Sequence, residues 1–227
     1  MRERVQVGTI GSQRLLQRAV NKRPEVLRSA LRKSGAIDRR EPIEWLSPLE
    51  ADAYTEYRDL EAQRRLRLDR RLTVPLKDYW PKRGAVWDGL AVAGADRPIL
   101  IEAKAHIPES ASPGSKATPA SLELIRKSLL AAKEHLAPRS KADWSGTFYQ
   151  YANRLAYQYY LRELNRIDSS LVFVDFLNAT DVDGPSTEAE WRGATRLIHA
   201  ILGLPADLTS FRVYHAYVDA RQLNEID

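Results

Sequence analysis

Cysteine is absent from the 227 residues, which excludes disulfide frameworks, thiolate metal sites, iron–sulfur clusters and cysteine nucleophiles. Histidine is scarce at 4, and His106, His135, His199 and His215 show no two-ligand spacing, so histidine-based metal centres are disfavoured. No apolar run approaches the roughly 18 residues of a membrane span, and the opening MRERVQVGTIGSQ lacks the apolar stretch of a signal peptide. A cytoplasmic protein with no membrane partner is expected. There is no Gly-rich phosphate loop, no serine nucleophile elbow and no internal repeat.

What is present is an ordinary globular balance, 44% hydrophobic and 29% charged. The net charge of +5 is unevenly placed: residues 1–40 hold 11 of the 35 Lys/Arg but 3 of the 30 Asp/Glu, leaving 24 basic against 27 acidic residues after them. A cationic segment on a near-neutral body suits an anionic polymer such as nucleic acid, because each neutralised phosphate releases counterions. The plainer reading is a solvated basic helix face.

Leu15, Leu16, Ala19 and Val20 recur at helical spacing, and Pro24 opens a second short helix that stops near Gly35. These form a basic helical extension over 1–46, ahead of a main domain over 47–227. Ser47-Pro48 with Glu50 reads as a capping box, predicting a long helix from Pro48 to Leu66 with Leu49, Ala53 and Leu60 on its apolar stripe. GAVWDGLAVAG and PILIEAKAH read as a hairpin, and Pro108–Pro119 as a mobile loop. Two helices follow, the second from near Trp144 to Arg166. SSLVFVDFL reads as a buried strand, STEAEWRGATRLIHAILG as a helix and FRVYHAYV as a closing strand. The expected fold is α/β, a mixed central sheet flanked by helices.

Centring the hairpin turn on Ala95 sets an antiparallel register in which Asp88 opposes Glu102. Alternation then puts Glu102, Lys104 and His106 on one face, with Asp88 turned the same way. Two opposed carboxylates repel and are costly to bury unless a cation sits between them. A hard divalent ion, magnesium with manganese as its substitute, suits an all-oxygen donor pair that leaves room for water and phosphate.

Asp88 followed by Glu102-Ala103-Lys104 on an apolar strand resembles the PD-(D/E)XK nuclease superfamily over roughly Pro48 to Leu177, although Trp87 stands where the family motif has proline. The resemblance implies a restriction-endonuclease-like αβββαβ core and a magnesium-dependent phosphodiesterase acting on nucleic acid, DNA in preference to RNA. It assigns Asp88 and Glu102 to the metal and Lys104 to the attacking water. Many members add a glutamate on the first core helix. Of Glu50, Glu56 and Glu61, only Glu56 falls on the apolar stripe, so Glu56 is the expected third ligand. Gln150, one turn before Arg154, resembles a site glutamine on the helix after the ExK strand. A homodimer is compatible with the family. The competing expectations are a non-catalytic nucleic-acid-binding or interaction module that keeps the fold, and a structural ion network. Asp175, on a buried strand, has nothing in the sequence linking it to the site.

Overall fold

The computed structural model describes residues 8–224, so Arg2 and Arg4 of the basic segment lie outside the described residues. Helices α1 (Gly11–Asn21) and α2 (Pro24–Ser34) come first, α2 opening on Pro24 and closing on Gly35, whose φ of 82° suits glycine. Then come β1 (Ile43–Ser47), β2 (Tyr57–Arg58), α3 (Asp59–Arg65), β3 (Val86–Trp87), β4 (Gly89–Ala93) and β5 (Arg97–Lys104). The chain continues through α4 (Pro119–Leu136), α5 (Tyr149–Tyr159), β6 (Ser170–Leu177), α6 (Glu188–Leu202) and β7 (Val213–Asp219). The result is an α/β protein with a five-stranded mixed sheet in the order β1-β4-β5-β6-β7. β1, β4 and β5 form an antiparallel meander, and β6 and β7 add in parallel.

Both faces of the sheet are covered. Leu15, Leu16, Leu27 and Leu31 of α1 and α2 pack on Ile99, Ile101, Val172 and Val174. Ile125, Leu129 and Leu155 of α4 and α5, with Ile198 and Leu202 of α6, pack on Leu90, Leu100, Leu171, Phe173 and Val213. The N-terminal helices are therefore part of the main core, and β1 crosses the boundary that composition suggested near residue 46. Double-sided burial explains why β5 and β6 read as continuous apolar runs.

The long helix expected over Pro48–Leu66 does not form. Ser47 ends β1 instead of capping a helix, Ala53 and Tyr54 take left-handed φ values of 50° and 54°, and only the seven residues of α3 are α-helical. Leu60, placed on the buried stripe by periodicity, is exposed. A local capping signal lost to sheet pairing: Ile43–Ser47 buries its backbone polar groups against β4, an option the helix pattern could not display. Similarly, α5 starts at Tyr149 because Phe148 sits at φ 63°. The loop after β5 is tied down: Ser112 accepts from the backbone N–H groups of Phe148 and Gln150, and Ser115 N–H donates to the Ser145 carbonyl.

Candidate active site

The hairpin keeps the register inferred from its turn, with Gly89 opposite Ile101 and Leu90 opposite Leu100. One step beyond, the ladder stops and Asp88 uses its side chain instead: Oδ2 accepts the Ala103 N–H at 2.7 Å. Asp88 is thereby fixed beside the last residues of β5, where Glu102 and Lys104 turn toward α5.

Glu102 is 1% exposed and is held by two cations. Lys104 Nζ lies 2.5 Å from Oε1, and Arg154 Nε on α5 donates to Oε2 at 2.6 Å. The same guanidinium donates to the Val86 carbonyl at 2.8 Å and to Asn153 Oδ1 at 3.1 Å, and stacks 4.7 Å from the Trp87 ring centre. Arg154 thus joins the helix, the strand before Asp88 and the buried carboxylate in one contact set. In the sequence Arg154 stood out only as the neighbour of Gln150. Its signal was an arginine next to Leu155 and one turn from Tyr151 on a helix buried nearly all round, which requires an anionic partner.

Electrostatics separate the two acids. Burial alone would raise the Glu102 carboxyl, but Arg154 and then Lys104 pull it below the usual glutamate range. Asp88 has no such escort: burial, then the charge of Glu102, push it up to about 8 against the weaker pull of Lys104. Burial would lower the Lys104 ammonium, yet Glu102 and Asp88 outweigh it and hold it above the ordinary lysine range. At neutral pH the lysine is a cation, and Asp88 is the acid whose burial is not offset by a positive neighbour in contact.

Glu56 also adds to the negative potential at Asp88. It arrives from the short connection before β2, steadied by Gln13 Nε2 of α1 at 3.1 Å, and not from a helix face. Glu50 pairs with Lys22 and Glu61 with Arg64, both away from the cleft. Gln150 lines the same cleft as Glu102 and Lys104.

The donor chemistry fits a hard divalent ion. Asp88 Oδ1 has no hydrogen-bond donor among the described residues, burial and like charge raise its carboxyl as at a site shaped for a cation, and Glu102 is the residue before the one whose N–H Asp88 accepts. No three Asp, Glu or His side chains among the described residues are already gathered at ligand distance. Two carboxylates with water completing the shell is a set that magnesium accepts.

The far wall of the cleft was not foreseen. Lys104 stands beside Asp175 in the parallel ladder, and Glu102 beside Phe173 and then His215. Asp175, buried, takes a 2.6 Å hydrogen bond from His215 Nδ1. Tyr151 of α5 reaches both His215 Nε2 at 3.3 Å and His199 Nε2 at 2.8 Å, and stacks on Phe173 at 4.4 Å between ring centres. Through His215 the cleft opens into a groove of about 340 Å³ rimmed by Lys33, Arg192 and Arg196.

No family model, curated protein or solved structure matches this chain. None of the helices of the described residues is long and apolar enough to cross a membrane.

Proposed function

We propose that the protein is a magnesium-dependent nuclease that hydrolyses phosphodiester bonds of nucleic acid, DNA in preference to RNA, as the resemblance to PD-(D/E)XK nucleases implies. The observation that carries this reading is the convergence of Glu102 and Lys104, at the carboxyl end of β5, with Asp88, just ahead of the antiparallel β4, Asp88 being pushed up to about 8 by burial and by Glu102. Ligands of open α/β sheets gather at that end of the strands.

Asp88 and Glu102 would hold the ion, with Glu56 adding negative charge felt at Asp88. When bound, magnesium supplies Lewis-acid activation of the attacking water. Arg154 fixes the direction of the Glu102 carboxylate. Lys104, kept protonated by Glu102 and Asp88, orients that water and stabilises the charge growing on the phosphoryl oxygens, so it acts as a positioned cation and not as a proton acceptor. Gln150 offers an uncharged contact on the helix side of the cleft.

A second reading, a nucleic-acid-binding module without chemistry, is favoured by the basic groove alone. Titration with Mg²⁺ and Mn²⁺ in the presence of labelled DNA and RNA separates the two. A nuclease cuts in metal and stops in chelator, whereas a binding module retains the polymer in chelator and never cuts it. A structural ion network does neither.

A further inference from the structure

Resting on the nuclease reading, we propose that His215 is a second catalytic residue, the acid that protonates the oxygen leaving phosphorus. Hydrolysis of a phosphodiester has two ends, and Asp88, Glu102 and Lys104 provide only for the attacking one. His215 stands two strands away from Glu102 in the sheet, about 10 Å at the backbone, and both side chains line one cleft. The cleft itself has room for about one water, about 20 Å³, and the groove of about 340 Å³ adjoins it at His215, so a phosphoryl group at their junction would present one side to Lys104 and the opposite side to His215.

The imidazole is built for this task. Asp175 receives Nδ1–H at 2.6 Å, which fixes the ring orientation and leaves Nε2 on the cleft side, 3.3 Å from the Tyr151 hydroxyl that lines the same cleft. The side chain is 19% exposed, at the passage between the cleft and the basic groove. The groups facing it are Asp175 on β6, Tyr151 on α5, His199 and Arg192 on α6, and Tyr217 on its own strand. His199 Nδ1 donates to the Pro205 carbonyl, so its Nε2 accepts the Tyr151 hydroxyl proton and the tyrosine oxygen stays open to His215. The His215 ring therefore meets a carboxylate at one nitrogen and a hydroxyl oxygen at the other.

In the step itself, the water oxygen bonds to phosphorus and its proton passes to solvent. The bond from phosphorus to the sugar oxygen breaks with its electron pair on that oxygen, which takes the Nε2 proton. His215 ends neutral and regains a proton from solvent, so water and diester give monoester and alcohol.

The test replaces the leaving oxygen by sulfur at the mapped cleavage position of a duplex, with the sulfur on the 3′ side and on the 5′ side. A thiolate leaves without a proton, since thiols ionise near 8.5. His215→Ala should lose about 10²-fold or more in single-turnover rate on the oxygen duplex and less than about tenfold on the sulfur duplex that places the thiolate as leaving group. His215→Gln, which keeps polar contacts, should behave in the same way, and added imidazole should restore part of the rate of His215→Ala. Equal losses on oxygen and sulfur substrates would overturn the role of His215 while leaving the nuclease reading intact. A wild-type protein that cuts neither duplex in Mg²⁺ or Mn²⁺ would overturn both.

Discussion

Arg154 Nε meets Glu102 Oε2 at 2.6 Å with both side chains almost wholly buried, so the helix after the hairpin and the strand carrying the acid share one ion pair. Removing one partner leaves an uncompensated buried charge. Arg154→Met should cost about 3–5 kcal/mol in urea unfolding, and adding Glu102→Gln to it should recover a large part of that loss. Strict additivity of the two substitutions would show that the pair is not coupled.

Asp88 carries the metal prediction. A carboxyl pushed up to about 8 is largely protonated at pH 7, so binding of Mg²⁺ should release a proton there, and affinity should rise from pH 6 to pH 8.5. Magnesium at 100 times its dissociation constant would stabilise the fold by about 2.7 kcal/mol. Thermal melts of wild type and Asp88→Asn across that pH range check this: the wild type should gain stability with Mg²⁺, more so at high pH, and the variant should gain none.

His199 sets an acid limit on stability. Burial, then the neighbouring His215, push its imidazole down to about 4 from an unfolded value near 6.5. The unfolded chain therefore binds the extra proton first. This contribution is fully present above about pH 6.5 and lost as pH falls toward 4, to a total of up to about 3 kcal/mol. His199→Gln, which can still accept from Tyr151, should flatten that part of the stability profile. An unchanged slope between pH 6.5 and 4 in the variant would show that another group sets the limit.

Charge in the sequence pointed to residues 1–40 as the nucleic-acid contact, and the fold redirects that expectation. α1 and α2 cover the sheet face opposite Glu102 and Lys104, Arg14 is paired with Asp181, and Lys33, the α2 residue that reaches the groove, shares Glu188 with Arg192. Arg192 and Arg196 on α6 border the groove that leads to the cleft. Replacing both by Ala should flatten the dependence of log affinity on log salt by about 0.9 for each duplex phosphate that is no longer neutralised. Arg39→Ala with Arg40→Ala should leave the slope unchanged. Fluorescence anisotropy over a salt series reads both.

The hairpin register as far as Gly89–Ile101 was legible because a two-strand register is fixed by its own turn, and Gly94 and Asp96 mark that turn in the sequence; Asp88, expected opposite Glu102, lies past the end of the ladder and accepts the Ala103 N–H instead. The capped helices α2 and α6 were legible for the same local reason, Pro24 with Gly35 and Thr187 with Glu190. The Asp175–His215 pair was not, because register between parallel strands is set by the crossover helices and not by neighbouring residues. Glu56 was selected on a helix face that does not exist; what brings it toward Asp88 is the chain's return from β1 to β2. β1 itself was hidden because IEWLS is short and adjoins a strong capping signal.

The most direct measurement is single-turnover cleavage of a labelled duplex by wild type and Lys104→Ala, each in Mg²⁺ and in chelator, with binding followed in parallel. Glu102 keeps Arg154 when Lys104 is removed, so the variant should fold and bind. Wild type should cut in Mg²⁺ alone, and Lys104→Ala should lose cleavage while its affinity stays within a few-fold, because a cation acting on the attacking water contributes mainly in the transition state. A Lys104→Ala protein that cuts at the wild-type rate, or a wild type that cuts equally well in chelator, would contradict a metal-dependent nuclease centred on Asp88, Glu102 and Lys104.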